Sequence, residues 1–534
     1  MTRFVEWLAA DLYRRGTRFA FGVPGGGVSL DLLDAVQTNG MCSVITARED
    51  AAAIMAGVAG RLANAPGLAF STKGPGLASA TNGLASALLD RMPTLMAAES
   101  FDTGELKFLS HQVFDQAALG ESLFGSVAGA KSKVLQPEAF AVSAALDAMM
   151  QAPIGPALLL ADPELMVANI DASPVTKTHR AVLDPESMDR AATLLSNARR
   201  PVVIAGLETT YDDVAQAVRA LADACGAPAL VTYMAKGVIA DDSPHFAGIF
   251  TGGAIEQPTV AAADLIVTVG LDPVELIRKP WPYDGPVLDL TAHIHDPHYF
   301  TPAARVVGDL VAIMTGLTGA AIASDWATPE IAACRQSFLD GMDMPAVDGL
   351  SAAVVVKEAV AAFAGKPRLA VDAGAHMFSA CAFWEASHPL DVLISNGLAS
   401  MGFAVPAAVA AALHDPARGA VAMTGDGGLL MCLGELKTVA EMDANLTVIV
   451  FNDARLSLID IKREQRQMAD LGLAWRTPDF AKVAEGFGFK AWRAETGEEM
   501  RAAANAAAAA GGPCMIDARV DPSGYLPQLR ALRG

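Results

Sequence analysis

The chain has 534 residues, 52% hydrophobic and 18% charged, with a formal net charge of −20. That length exceeds a single core and suits roughly three domains, and the composition is that of a packed α/β protein rather than a disordered one. The acidic balance argues against nucleic acid or an anionic membrane surface as partner, because their phosphates would be repelled.

The first run, "FVEWLAADLYRRG", has helical spacing with charges throughout and does not read as a signal peptide; no apolar run reaches membrane-spanning length. The segments "RFAFGVPG", "VSLDLLDAV", "CSVITARED", "AAAIMAGVAGRLA" and "GLAFSTKGPG" then alternate strand-like and helix-like patterns. They define a doubly wound domain over 1–170. The polar stretch "IDASPVTKTHRAVLDPESMDR" reads as a linker.

A second α/β domain over 185–330 contains the strands "RPVVIAG", "APALVTY" and "DLIVTVG", without a GxGxxG fingerprint. The stretch "DWATPEIAACRQSFLDGMDMPAVDGLS" reads as a second connection. A third domain over 345–534 contains "RLAVDAG", "VLISNG", "AVAMTGDG", "TVIVFND" and "CMIDARV", and "RAAANAAAAAGG" reads as a surface helix. The predicted fold is therefore three doubly wound α/β domains with parallel sheets. Six cysteines without a CxxC pair, and no histidine cluster with zinc-ligand spacing, predict buried thiols in a cytoplasmic protein.

Within "TGDGGLLMCLGELKTVAEMDANLTVIVFND" two apolar runs flank a helical pattern, which places Asp426 and Asn452 at neighbouring strand ends. Two oxygen-bearing side chains beside glycines suit a hard cation that holds a phosphate, although two ordinary βα turns would give the same pattern.

Three further motifs accompany this one in order: "FGVPGGG" with "AREDAAAIMAGVAGRLA", "STKGPGLASATNGLASALLDRMP", and "NGLASMGFAVPAA". Together they resemble the thiamine-diphosphate-dependent decarboxylase and acetohydroxyacid synthase superfamily, nearest its acetolactate synthase-like branch. The resemblance implies a pyrimidine-binding, a central and a diphosphate-binding domain. It also implies Mg²⁺ held by Asp426, Asn452 and the carbonyl of Ala454, with Gly425, Gly427 and Gly428 presenting backbone to the diphosphate. Asp453 stands where many members have a second Asn. His376 matches a histidine near the diphosphate, with a core histidine as the alternative. Gly25 and Gly26 match the pyrimidine-domain loop.

By the same resemblance, Glu49 contacts the cofactor's aminopyrimidine and drives its imino tautomer, which suits a buried carboxyl of raised pKa. Met401 wedges beneath the cofactor, and backbone groups of Ala399 and Met401 bond the pyrimidine edge; many relatives have Gly at Ala399. Gln112 fits a position beside the reacting carbon. His111 either shares acid-base work or packs, and Lys73 either binds a substrate anion or is a solvent-facing loop lysine. Gly26 and Leu458 replace a Ser and a Glu found in aldehyde-releasing decarboxylases. "AGLETTYDD" and "VGLDPVELIRKPWPY" replace the FAD-binding segments of acetohydroxyacid synthases, which argues against FAD.

The implied activity is C–C lyase or carboligase chemistry on a 2-oxo acid or related acyl donor. A non-oxidative 2-oxo acid decarboxylase and a catalytically silent cofactor-binding subunit are the alternatives. A homodimer or homotetramer is implied, and "IDIKREQRQMADLGLAW" is expected to be a mobile charged segment near the site.

Overall fold

The computed structural model describes residues 2–101, 111–126, 131–170, 183–276, 280–296, 298–364, 366–476 and 478–534. Residues 171–182 of the expected linker, Ser110 before His111, and 277–279 of the central segment lie outside them.

Short buried runs of Val, Ile, Leu and Ala, bounded by Gly and Pro, form three six-stranded sheets, each flanked by helices. The first has the order Cys42–Ile45, Phe19–Val23, Gly67–Ser71, Thr94–Glu99, Ala157–Ala161, Val134–Leu135, with every neighbouring pair parallel. The second runs Phe246–Ile249, Ala229–Val231, Pro201–Ala205, Leu265–Val269, Val287–Thr291, Ala304–Val307, again parallel. The third runs Val392–Ile394, Arg368–Val371, Ala420–Gly425, Leu446–Asn452, Cys514–Arg519, Lys490–Ala494. Numbered within each sheet, the first and third share the order 2-1-3-4-6-5, whereas the second is 3-2-1-4-5-6. In all three the strand order reverses direction beside the first strand of the sheet, and loops diverging there leave a crevice beyond the strand C-termini.

The chain forms two compact units. Met1–Thr178, Gly397–Gly419 and Cys432–Leu446 make one, which holds the first sheet; His179–Asn396, Ala420–Met431 and Thr447–Gly534 make the other, which holds the second and third.

Several expectations need correction. The supposed second connection contains the helix Thr328–Met342, whose Ile331, Phe338 and Met342 are buried; Phe338 packs over Gly248. Its apolar stripe is sparse among polar residues, which made it read as a loop. The segment after Asn452 begins as the helix Ser457–Gln465, anchored by Ile461 and by Asp460 bonding Arg455 and Arg463. The single helix expected between Asp426 and Asn452 is two, Asp426–Cys432 and Glu435–Glu441. Cys42 is exposed and Cys334 half-buried, unlike the other four thiols.

In the second unit, Lys236 is only 1% exposed and its ammonium lies 2.6 Å from Asp241 Oδ2, which also accepts from the Ala386 N–H. Removing one partner strands a buried charge. Lys236→Ala is therefore expected to destabilise this unit by about 3–5 kcal/mol, seen as a lower urea midpoint; an unchanged midpoint would show that the pair contributes nothing net.

Candidate active site

In the first unit, the turn Thr72–Gly76 after strand Gly67–Ser71 is the point around which the expected residues gather. Thr72 Oγ1 donates to Glu99 Oε2 at 3.2 Å. A Cβ at Gly25 would lie 2.5 Å from Thr72 Oγ1 and 2.8 Å from Glu99 Oε2, so contact alone requires glycine there. At Gly26 a Cβ would meet nothing within 4 Å. Lys73 is half-buried with Nζ 5.0 Å from the centre of the Phe101 ring, a cation–π contact. Gly74, at φ +63°, backs onto Gln112, whose carbonyl oxygen would lie 2.5 Å from a Cβ. Gln112 has φ +64°, and both it and His111 are exposed. A Cβ at Gly76 would lie 3.4 Å from Glu49 Oε1.

Glu49 is the first residue of the helix Glu49–Ala63 and is half-buried, where a buried carboxyl was expected. The turn before it is pinned by a residue that sequence reasoning missed. Glu435 is 1% exposed; its Oε1 accepts from the N–H groups of Ala47 (3.1 Å) and Arg48 (3.0 Å), and its Oε2 accepts from Thr438. Burial, with a smaller push from Asp50, raises the Glu435 pKa against these bonds. Glu99 does the same for the Gly25 loop, accepting from the N–H and hydroxyl of Ser29 at 2.9 and 2.7 Å.

Ala399 has φ +57°, a left-handed conformation that costs a non-glycine residue roughly 1–2 kcal/mol. Its loop is held by the Gly397 N–H donating to buried Asp90 at 2.7 Å and by Asn82 donating to Ser400. Met401 is half-buried.

In the second unit, strands Ala420–Gly425 and Leu446–Asn452 are neighbours, and their ends carry Asp426 and Asn452. The Asp426 carboxylate accepts from Gly427 and Ala454 N–H groups, which leaves Oδ2 buried without a partner. Asn452 Nδ2 donates to Asp517 Oδ1 at 2.7 Å, so its buried, unpartnered Oδ1 points the other way. Ala454, at φ +61°, turns the backbone immediately after the strand. Burial and the charge of Asp453 push the Asp426 pKa up to about 7, and burial pushes Asp453 up to about 6. Two buried oxygens without partners beside crowded carboxylates fit the oxygen donors that a hard divalent cation takes.

His376 is buried, stacks on Phe451 with ring centres 5.1 Å apart, and bonds the Met423 carbonyl; its Nε2 is buried without a partner. Burial lowers its pKa to about 4. Gly428 has a packing reason beyond ligand approach: a Cβ there would fall 2.1 Å from Asp372 Oδ2.

Three family models match the chain: the N-terminal TPP binding domain of thiamine pyrophosphate enzymes over 2–119, the central domain over 188–315 and the C-terminal TPP binding domain over 372–518. The chain is 27% identical to the acetolactate synthase of Bacillus subtilis (strain 168), over 98% of this chain and 94% of that one. It is 25% identical to a probable acetolactate synthase large subunit of Methanocaldococcus jannaschii, over 98% and 93%. A probable 2-ketoarginine decarboxylase, AruI, of Pseudomonas aeruginosa is 27% identical over 89% and 86%. The chain belongs to the thiamine pyrophosphate enzymes, in their acetohydroxyacid synthase-like branch. It is thus a thiamine-diphosphate-dependent enzyme of the lyase or transferase type.

Two outcomes follow from the carboxylates. Asp517→Asn should release the orientation of the Asn452 amide and weaken binding of magnesium-thiamine diphosphate roughly 10–100-fold, the usual effect of losing an outer partner; unchanged affinity in calorimetry would remove Asp517 from that role. A proton and a cation compete for Asp426, so binding should weaken roughly tenfold as pH falls from 8 to 6 through a pKa near 7. Asp453→Asn removes the neighbouring charge and should move that transition to lower pH; an unmoved transition assigns it to another group.

Proposed function

We propose that this chain is an acetolactate synthase-like carboligase that cleaves a 2-oxo acid and joins the resulting acyl unit to a second carbonyl compound. The observation that carries this reading is the gathering of Glu49, Lys73 and Gln112 around the single turn Thr72–Gly76. The similarity to two proteins named as acetolactate synthases, over nearly the full length of each, supports it.

The same proposal assigns Mg²⁺ to Asp426 Oδ2, Asn452 Oδ1 and the Ala454 carbonyl, with Gly425, Gly427 and Gly428 presenting backbone and His376 Nε2 facing the diphosphate. Thiamine diphosphate, when bound, supplies an acidic carbon and an electron sink for the charge left by C–C cleavage. Glu49 would hold a proton between its carboxyl and a ring nitrogen of the pyrimidine, while backbone groups of Ala399 and Met401 orient that ring and the Met401 side chain shapes it from below. Gln112 polarises a substrate carbonyl without titrating. Lys73, beside the Phe101 ring, offers its ammonium to a carboxylate. His111 stands beside Gln112 with its ring exposed, free to share a proton with an incoming substrate. The homodimer or homotetramer and the cytoplasmic location belong to this reading as well. Among the described residues no helix is long and apolar enough to cross a membrane, and all six thiols are free.

A decarboxylase that releases an aldehyde is the second reading, favoured by the similarity to AruI. Stoichiometry separates the two: ligation of two 2-oxo acids releases one carbon dioxide per pair, and simple decarboxylation releases one per molecule. A panel of 2-oxo acids supplied to the magnesium-thiamine diphosphate enzyme, with carbon dioxide counted and products weighed by mass spectrometry, should give the paired ratio and a 2-hydroxy-3-oxo acid. Aldehyde at a one-to-one ratio would establish the second reading instead. Glu49→Gln should retain cofactor yet slow hydrogen–deuterium exchange at the cofactor's acidic carbon by about two to four orders of magnitude; exchange at the wild-type rate would free Glu49 of its role.

A further inference from the structure

The central sheet reverses its strand order between Pro201–Ala205 and Leu265–Val269, and the loops leaving these strands are Gly206–Glu208 and Gly270–Asp272. The two turns approach each other closely: a Cβ at Gly206 would fall 2.5 Å from Gly270 O, and one at Gly270, φ +57°, would fall 2.6 Å from Glu208 Cβ. Beside these turns, the segment after strand Val287–Thr291 brings in His293 and His295.

The three side chains converge on one carboxylate oxygen. Glu208 Oε1 lies 2.8 Å from His293 Nδ1 and 3.2 Å from His295 Nε2, and the side chains are 9%, 17% and 6% exposed. The other oxygen, Oε2, is already committed: it accepts from Ala292 N–H at 2.8 Å and Thr291 Oγ1 at 3.2 Å, which fixes the carboxylate with Oε1 facing the rings. His293 Nδ1 is buried and, close as it is, makes no aligned hydrogen bond. Three ligand atoms lie within 4.8 Å of one another, compared with about 3.3 Å between ligands in a tetrahedral site with bonds of 2.0–2.1 Å. His295 Nδ1 lies 3.9 Å from Oδ1 of buried Asp272, beyond hydrogen-bond distance. His298 is not a fourth ligand, since its Nε2 faces the Leu271 carbonyl and its Nδ1 accepts from Tyr299 N–H.

We propose that Glu208, His293 and His295 form a binding site for one borderline divalent transition-metal ion of the zinc class, separate from the magnesium-diphosphate site. Two imidazoles and one carboxylate match that class and not magnesium, which prefers oxygen and retains its water. The ion would tie together the ends of Pro201–Ala205 and Val287–Thr291, where a dinucleotide fold would otherwise place its ligand.

The test uses tag-free holoenzyme saturated with magnesium and thiamine diphosphate, so that the other site is filled. Zinc titration and elemental analysis should give one zinc per chain, and Co²⁺ in its place should give visible bands of mixed nitrogen and oxygen ligation. His295→Ala and Glu208→Gln should each weaken zinc binding at least about 100-fold while leaving thiamine diphosphate affinity unchanged. Zinc affinity equal in wild type and both variants, or less than a tenth of an equivalent bound at 100 µM zinc (on the order of a Kd above 1 mM), overturns the proposal. Should a variant fail to fold, zinc-edge anomalous diffraction from wild-type crystals decides: a peak among the three side chains sustains the site, and a peak elsewhere or none refutes it.

Discussion

Buried carboxylates that accept loop N–H groups hold the business ends of all three sheets. A chain leaving a parallel strand enters a half-dry region with donors that no neighbouring strand can satisfy, and one carboxylate takes two or three of them. Glu99 takes Ser29 and Thr72, Glu435 takes Ala47 and Arg48, and Glu275 takes Leu207 and Asp272. Asp517 takes Asn452 and Phe480 in the same way. Burial raises the pKa of Glu435 and Asp517 and pushes Glu275 up to about 8, so these bonds are made at an electrostatic cost. What they return is position. The turns that carry Gly25, Glu49 and the Asn452 amide are each fixed by a buried acid.

The shared strand order of the first and third sheets sets similar crevices, and their chemistry diverges through the loops alone. In the first, Gly25 and Thr72 leave the two strands at the reversal point; in the third, Asp372 and Asp426 do. The former pair is closed by Glu99, whereas the latter leaves Asp426 Oδ2 bare. The central sheet has a different order, and Gly206 and Gly270 approach each other closely at its reversal point, with the proposed Glu208 cluster beside them.

Strands such as Leu265–Val269, Ala420–Gly425 and Leu446–Asn452 were legible because each is a short apolar run that ends at Gly or Asn, whereas Thr94–Glu99, Val287–Thr291 and Lys490–Ala494 lack that punctuation and were not singled out. The acids behind them were not legible. Glu435 lies 387 residues from Arg48, Glu99 lies 70 from Ser29, and Asp517 lies 65 from Asn452. Periodicity reports which face of an element is apolar, and an acid buried by a distant partner looks like any solvated one. The Glu208 cluster was missed for the same reason: His293 and His295 have no ligand at zinc-finger spacing, and the third member is 87 residues from His295. Nor could the sequence place Phe101 beside Lys73.

The electrostatics around Asp426 constrain the order in which its ligands arrive. Asp426 and Asp453 stand close enough for one charge to raise the other's pKa, and His376 is neutral because burial lowers its pKa to about 4. A diphosphate approaching two carboxylates with no cation present would meet only repulsion, strengthened by the low local dielectric. In the proposed arrangement the divalent ion must therefore precede the diphosphate or travel with it. Once the anion is seated near His376 Nε2, its charge favours the protonated imidazole that burial disfavours, and the orphaned nitrogen becomes a donor. The site would then bind cation, anion and proton as one linked set, which explains why a group so costly to bury as His376 occupies this position.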